Sequence, residues 1–205
     1  MTRVLTGFVL LCVLAFSAKA QSSAGVKTDL NLMNFYVNDT CNLTSSMKAG
    51  GSAGFFYKYV YAENTAIEID VMFHYRTSKI KNRTTGETAE YRYHGIELPV
   101  YSIKQIDAGQ GLLYLGVGSF ASVGFFSRYE AADRMIDLYK KDRTNGKTMM
   151  YRWDFGAGFI IGYELKCHLQ FNFNYQLGFR NMFDESFGNV WMSSNLIGLG
   201  VGYRF

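Results

Sequence analysis

Charged side chains recur at alternate positions in several segments, and they are the residues of this chain best able to do chemistry. Twelve of them fall on one parity of their segments, six cations and six carboxylates. If that parity forms an enclosed face, the charges must pair, because an isolated buried charge is costly. We therefore predict an internal charge-paired network. Its members are Lys27, Asp29, Lys58, Glu68, Asp70, Arg76, Glu97, Arg152, Asp154, Glu164, Arg180 and Arg204.

The histidines and serines do not suggest a catalytic or metal-binding constellation. His74, His94 and His168 lie in separate segments, and no H-x-E-x-H or C-x-x-C spacing occurs. We expect no catalytic residue, no cofactor and no metal ion. A lipid-modifying enzyme is the alternative, and it would need a Ser or Asp against His74 beside an opening in the wall.

The segments that carry the charges alternate apolar and polar residues with period two. In the last segment, Ile197, Leu199 and Val201 alternate with glycines, and the chain ends on an aromatic residue. Strand side chains point to opposite faces in turn, so one face is apolar and the other is small or polar. This pattern predicts eight strands within residues 25–33, 51–61, 67–76, 93–103, 112–125, 151–164, 169–180 and 195–205.

The connectors between these strands alternate in length, which favours a barrel over a sandwich. Short turns at 62–64, 104–110 and 165–168 separate long polar connectors. Long external loops and short periplasmic turns are typical of outer-membrane barrels, and eight strands leave a lumen that side chains fill. We predict an all-β, closed, eight-stranded antiparallel transmembrane barrel. Its long connectors are 33–48, 77–90, 127–150 and 181–194, the third of which suits a short surface helix or an extended hairpin.

The N-terminal residues predict export. A positive residue, a 13-residue apolar run and an A-x-A ending indicate a cleaved signal peptide over 1–20, with the barrel domain over 21–205. No apolar stretch reaches the length of a transmembrane helix. The net charge of +4 without a basic run does not indicate nucleic-acid binding. We expect an integral protein of a Gram-negative outer membrane with both termini periplasmic, and Cys41 and Cys167 unpaired.

Aromatic residues outside the strand pattern have two expected roles. Tyr91, Tyr93, Tyr151 and Trp153 at the rims are expected to anchor the barrel at the membrane interface. An apolar group in the last long connector could dock a partner or could fold back onto the barrel mouth. Its members are Phe183, Phe187, Trp191 and Met192.

Four motifs in order along the chain resemble the PorT-like outer-membrane barrels common in Bacteroidetes. They are the opening Gly25–Leu32, the middle strand Gly95–Val100, the segment Phe155–Gly158 and the closing Gly200–Phe205. The resemblance implies an eight-stranded barrel without catalytic residues. It also implies that the terminal Phe205 is an assembly signal read by the barrel-assembly machinery.

These observations favour a non-enzymatic barrel that contacts outer-membrane lipid and has an envelope structural role or a loop-mediated binding role. A protein partner would bind through the external loops. An accessory subunit of an outer-membrane transport or secretion complex is a further alternative, which rests on the resemblance. The sequence does not determine the oligomeric state.

Overall fold

The chain folds almost entirely into β-strands. A computed structural model describes residues 22–38, 42–131, 134–143, 146–184, 186 and 190–205. The predicted signal peptide and Cys41 therefore lie outside the described residues. Within the described part there are nine strands: β1 Ser22–Val37, β2 Leu43–Ala62, β3 Thr65–Asn82, β4 Thr88–Ala108, β5 Gly111–Ala131, β6 Arg134–Asp137, β7 Trp153–Leu165, β8 Leu169–Gly178 and β9 Met192–Arg204.

Eight of these strands form a closed antiparallel ring. The order around the ring is β1-β2-β3-β4-β5-β7-β8-β9, and β9 returns to pair with β1 in a register that sets Tyr203 opposite Val26. The ninth strand, β6, is a four-residue addition that pairs with the end of β5. The predicted closed, eight-stranded antiparallel barrel is thus confirmed, and closure removes the unpaired edges that a membrane cannot tolerate.

Three tight connectors, the start of β1 and the end of β9 lie at one end of the ring, the turn end. The connectors are residues 63–64, 109–110 and 166–168. Asn64, Gly109 and His168 have positive φ angles of 58°, 61° and 68°, as reversals this short require. The remaining connectors lie at the opposite end, the loop end.

The strands extend further toward the loop end than the sequence predicts. The connectors expected at 33–48 and 77–90 shrink to residues 38–42 and 83–87, because β1 to β4 remain paired beyond the predicted limits. The expected connector at 127–150 begins with an extended hairpin, in which Arg128–Ala131 pairs with Arg134–Asp137. Of the two alternatives for this segment, the hairpin is therefore correct.

The predicted alternation of faces is confirmed along the ring. Leu199 is 63% exposed and Val117 is 68% exposed, whereas their inward neighbours Gly200 and Gly116 are buried. The outward side chains form a continuous apolar band that suits the hydrocarbon core of a membrane. No helix in the described residues is long and apolar enough to cross a membrane.

A bulge in β5 changes which side chains face inward at the loop end. His94 pairs with Phe126, whereas Gly95 pairs with Gly124, so Phe125 and Phe126 both face outward. The extra residue turns Ser127 inward, where it is fully buried.

Two of the predicted interfacial anchors are corrected by the structure. Tyr91 and Tyr93 share the inward parity of Glu97 on β4, and they are 1% and 3% exposed. They pack inside the barrel instead of at the membrane surface. Trp153 does lie on the outside, 61% exposed, and Tyr151 is half-buried.

Candidate functional site

The centre of the barrel contains a buried lysine held between two carboxylates. Lys27 Nζ lies 2.8 Å from Glu68 Oε1 and 2.8 Å from Asp70 Oδ2. Lys58 Nζ approaches the other oxygen of Glu68 at 3.3 Å. All four side chains are buried, and they come from three neighbouring strands, β1, β2 and β3. Opposite charges therefore meet across strands, as burial requires.

The network continues toward the turn end through Glu164 on β7. Its carboxylate accepts hydrogen bonds from Arg204 Nε at 2.6 Å and from Gln170 Nε2 at 2.8 Å. Lys58 Nζ lies 3.8 Å from the same carboxylate. Glu164 thus connects the central lysines to Arg204, the last residue of β9.

A second group of buried charges lies nearer the loop end and centres on Glu97. Arg76 donates to Glu97 Oε2 at 2.5 Å, Gln176 donates to Oε1 at 2.8 Å, and His74 Nε2 lies 3.4 Å from Oε1. Glu97 has no exposed surface. Further along the interior, Ser194 donates to Asp154 at 2.5 Å.

The structure places ten of the twelve predicted charges on the inner face and leaves two outside it. Arg152 is exposed, and its guanidinium lies 4.7 Å from the centroid of the Tyr139 ring. The guanidinium of Arg180 lies 4.1 Å from the centroid of the Tyr151 ring. Strand β7 begins only at Trp153 and β8 ends at Gly178. Both arginines therefore lie beyond the strand ends, where the alternation of inward and outward side chains no longer applies. Each stacks on a loop tyrosine instead.

Ser52 is a neighbour of His74 that the sequence reasoning missed. It lies in the segment Gly50–Gly54, whose G-x-S-x-G spacing was a signal for it. The structure sets Ser52 opposite His74 in the β2–β3 register, and its hydroxyl donates to Asp29 Oδ2 at 3.2 Å. However, Ser52 lies within strand β2, whereas the nucleophile elbow of a hydrolase lies at a strand-to-helix turn.

The space beside Ser52 and His74 is too small for a lipid substrate. The cavity that they line, together with Asp29, Asp70 and Glu97, has a volume of about 20 Å³. That volume accommodates a single water molecule. A lipid-modifying enzyme requires a serine beside His74 and room for a substrate. The serine is present, but the room is not.

The other two histidines lie apart from the group of charges around Glu97. His94 packs on the outer face against Tyr75 and Phe126, with ring centroids 5.0 and 5.3 Å apart. His168 occupies the third tight turn. No group of three or more His, Cys, Asp or Glu residues that could hold a metal ion occurs in the described part of the chain. Cys167 is a free, exposed cysteine in the same turn.

Above the charges, toward the loop end, the interior becomes apolar and rich in methionine. We call this group the methionine cluster. Strands of the ring and the long connectors both contribute to it. Its buried members are Met33, Phe35, Ile80, Tyr91, Tyr93, Leu138, Tyr139, Met150, Met182 and Met192.

The predicted contact patch in the last connector is divided by the structure. Met192 is buried in the methionine cluster and Phe183 packs against it, so these two fold back onto the barrel mouth. Trp191 is 45% exposed. Phe187 lies outside the described residues. Of the two expected roles, folding back onto the barrel mouth is therefore the one that Phe183 and Met192 have in the structure.

The methionine cluster encloses an apolar cavity of about 210 Å³. Its floor includes Tyr91, which also lines a cavity of about 10 Å³ shared with Arg76 and Asp154. Tyr91 therefore separates the apolar cavity from the charged interior. The described lining residues are Phe35, Leu43, Ile80, Tyr91, Tyr129, Ile136, Leu138, Met149, Met150, Phe183 and Met192.

Outside the ring, a row of ion pairs follows the apolar band toward the loop end. Lys48 Nζ lies 2.6 Å from Glu90, and Arg92 bridges Glu90 and Glu130 at 3.2 Å each. The hydrogen bond from Lys48 and that from Arg92 lower the pKa of the Glu90 carboxyl. Charges on the outer face are compatible with water or lipid headgroups and not with hydrocarbon, so this row indicates where the membrane band ends.

The last connector is fixed by local hydrogen bonds to an aspartate. Asp184 accepts hydrogen bonds from the Ser186 amide and hydroxyl, which lower the pKa of its carboxyl to about 2. Asn181 accepts from the amides of Phe183 and Met192 at 3.1 and 3.0 Å. These contacts hold the connector over the methionine cluster.

A closed ring with an apolar outer band, a charge-paired interior and no open edge defines the class of membrane-spanning β-barrels. Within this class, the family model described as the outer membrane protein beta-barrel domain matches residues 14–184. The chain belongs to that family and is an integral outer-membrane protein.

Solved structures of small outer-membrane barrels are similar to the chain. Ail of Yersinia pestis is 10% identical with a TM-score of 0.47, and the match covers 91% of this chain and 100% of Ail. The Neisserial surface protein A is 13% identical with a TM-score of 0.46, at the same coverage. The N-terminal barrel domain of Pseudomonas aeruginosa OprF is 14% identical with a TM-score of 0.37, covering 87% and 97%. No curated protein sequence matches.

Proposed function

We propose that this protein is a non-conducting, non-enzymatic outer-membrane barrel whose loop end forms a binding structure at the cell surface. The observation that carries the proposal is the division of the interior. Buried ion pairs fill the ring at membrane depth, and an apolar core with its own cavity lies beyond them at the loop end. The lower part supports the barrel, and the upper part is available for binding.

The closed lumen predicts that the protein does not conduct ions. Lys27, Glu68 and Glu97 are buried and paired across the ring, and the cavity that Lys27 and Glu97 line accommodates one water. We expect no stable single-channel steps when the refolded protein is added to a planar lipid bilayer in roughly 1 M salt. Regular steps of one amplitude would contradict the closed lumen. A porin refolded in parallel is the control for insertion.

The proposed orientation places the turn end in the periplasm and the loop end outside. It is supported by the short connectors at one end and by the longer ones, with the β5–β6 hairpin, at the other. Both termini then lie in the periplasm, as in outer-membrane barrels generally.

This orientation can be tested with cysteines at the two ends. In a Cys41→Ser background, the native Cys167 at the turn end should react with a membrane-impermeant maleimide only after the outer membrane is permeabilised. A Cys167→Ser, Cys41→Ser variant carrying Thr85→Cys, in the exposed connector of β3 and β4, should react on intact cells. The reverse labelling pattern would invert the orientation.

We also propose that the chain is a PorT-like barrel and that Phe205 is its assembly signal. The opening, middle and closing motifs of this resemblance lie on β1, β4 and β9. Phe205 is 71% exposed and its ring packs edge-on against Tyr203, with centroids 6.0 Å apart, on the outer face. An aromatic side chain at this position is accessible to the barrel-assembly machinery.

A further inference from the structure

The apolar cavity at the loop end has the composition of a small-molecule site. None of its described lining side chains carries a charge, and the hydroxyls among these described residues are those of Tyr91 and Tyr129. Cavities of roughly 150 Å³ lined by aliphatic and aromatic groups stay dry and bind benzene. A cavity of about 210 Å³ with this lining is therefore more stable when an apolar molecule fills it.

The size of the cavity limits what can occupy it. Ligand pockets for drug-sized molecules range upward from roughly 300 Å³, so this cavity suits a smaller molecule and not a peptide segment. Met149, Met150 and Met192 supply part of the wall. Their unbranched, polarizable side chains adapt to ligands of different shape.

The position of the cavity separates it from the membrane. Its strand-borne lining residues, such as Phe35 on β1 and Ile80 on β3, point into the ring above the charged interior. On the outside of the adjacent strands β2 and β4 lies the charged row of Lys48, Glu90 and Arg92. A ligand would thus enter from the loop end, and the acyl chain of a lipid in the bilayer would not reach the cavity.

Tyr91 adds one polar requirement. Its hydroxyl is buried, interacts with Ser127 and has no well-formed hydrogen bond among the described residues, and Tyr91 forms part of the cavity floor. A buried hydroxyl without a partner is costly, and a ligand oxygen would supply one.

We infer that the loop-end cavity binds a small, uncharged, apolar molecule, such as a short-chain alcohol, that arrives from the external medium. The inference deepens the proposed function and rests on it for the direction of entry. A charged headgroup is disfavoured in the site, because none of the described lining residues carries a charge that could compensate it.

Methionine methyl groups provide a direct test. The protein, labelled with ¹³C in its methionine methyls and placed in lipid nanodiscs, is titrated with 1-hexanol and separately with hexanoate at neutral pH. Hexanol should produce saturable shifts at Met149, Met150 and Met192. Met72 in the charged interior and Met135, which is 64% exposed, report on unspecific effects and should not shift saturably.

Variants that fill the cavity distinguish binding in it from partitioning into lipid. Ile80→Trp and Leu43→Trp each add bulk to the lining, and either should weaken hexanol binding by at least about ten-fold. Val117→Trp adds an indole on the outer band and should leave binding unchanged.

The inference is overturned if hexanol shifts grow linearly at all methionines, if hexanoate binds equally well, or if both filling variants, shown to be folded by heat-modifiable migration, still bind hexanol. Any of these results would leave the closed lumen intact, since bilayer conductance tests that part of the proposed function separately.

Discussion

Replacement of Glu97 by leucine is expected to lower the free energy of unfolding by about 3–5 kcal/mol, because breaking one buried ion pair leaves an uncompensated charge. Glu97 has no exposed surface and accepts hydrogen bonds from Arg76 and Gln176. Without its carboxylate, the Arg76 guanidinium would lie in the ring with no anion in contact. Urea unfolding of the protein in lipid vesicles, followed by tryptophan fluorescence, measures the loss.

The double variant Arg76→Leu, Glu97→Leu separates the cost of an unpaired charge from the loss of packing. Removal of both partners of a buried pair is often close to neutral, so the double variant should recover most of the stability lost in Glu97→Leu. If the double variant is no more stable than the single one, the pairing is not the cause. Glu90→Gln, at an exposed ion pair on the outer face, is the matched control and should change stability by less than about 1 kcal/mol.

The sequence predicts the membrane part of this fold well, because there each residue meets one of two opposite environments. Leu199 and Val201 lie in the outer apolar band while Gly200 and Gly202 face the interior, so apolar and small residues alternate at every position. Beyond the band the outer face becomes charged and the inner face apolar, as at Lys79 and Lys81 outside and Ile80 inside on β3. The apolar face therefore changes sides although the hydrogen-bonded pairing continues. The predicted strands therefore stop too early at the loop end.

The charged interior is predictable in membership but not in pairing. Parity alone places Lys27, Glu68 and Asp70 inside, yet their contact depends on the register between β1, β2 and β3, which short sequence patterns do not fix. Arg152 and Arg180 are predicted to face inward because the strand pattern is continued too far. They would do so only if β7 and β8 extended to them.

The apolar cavity could not be predicted from local patterns at all. Its lining comes from β1 to β6, the following connector, the last connector and β9, segments that extend from Phe35 to Met192. For Phe183 and Met192 the sequence leaves two roles open, docking a partner or folding back, because nothing local shows that the barrel mouth is there to cover them.

Gly118→Ala is expected to destabilise the barrel by about 1–3 kcal/mol or more, the cost of overpacking a well-packed interior. Gly118 lies opposite Tyr101 on β4 and Gly158 on β7. A Cβ atom added there would lie 1.9 Å from the Val100 carbonyl oxygen and 2.8 Å from Tyr101 Cα. Because both atoms belong to the backbone of the neighbouring strand, no side-chain rotation relieves the clash. Strands β4 and β5 would have to separate.

Gly51→Ala is the matched control, since the added Cβ would meet only the Asp29 carbonyl oxygen at 3.7 Å, an ordinary contact. It should be neutral or slightly stabilising, because alanine loses less backbone entropy on folding. Heat-modifiable migration and urea unfolding measure both variants. Equal effects would mean that both glycines are needed only for backbone flexibility. The expected difference would show that Gly118 is needed because β4 and β5 approach each other closely there. A closed ring of eight strands depends on such contacts, because the cavity in its charged interior accommodates only about one water and gives a displaced strand little room to move.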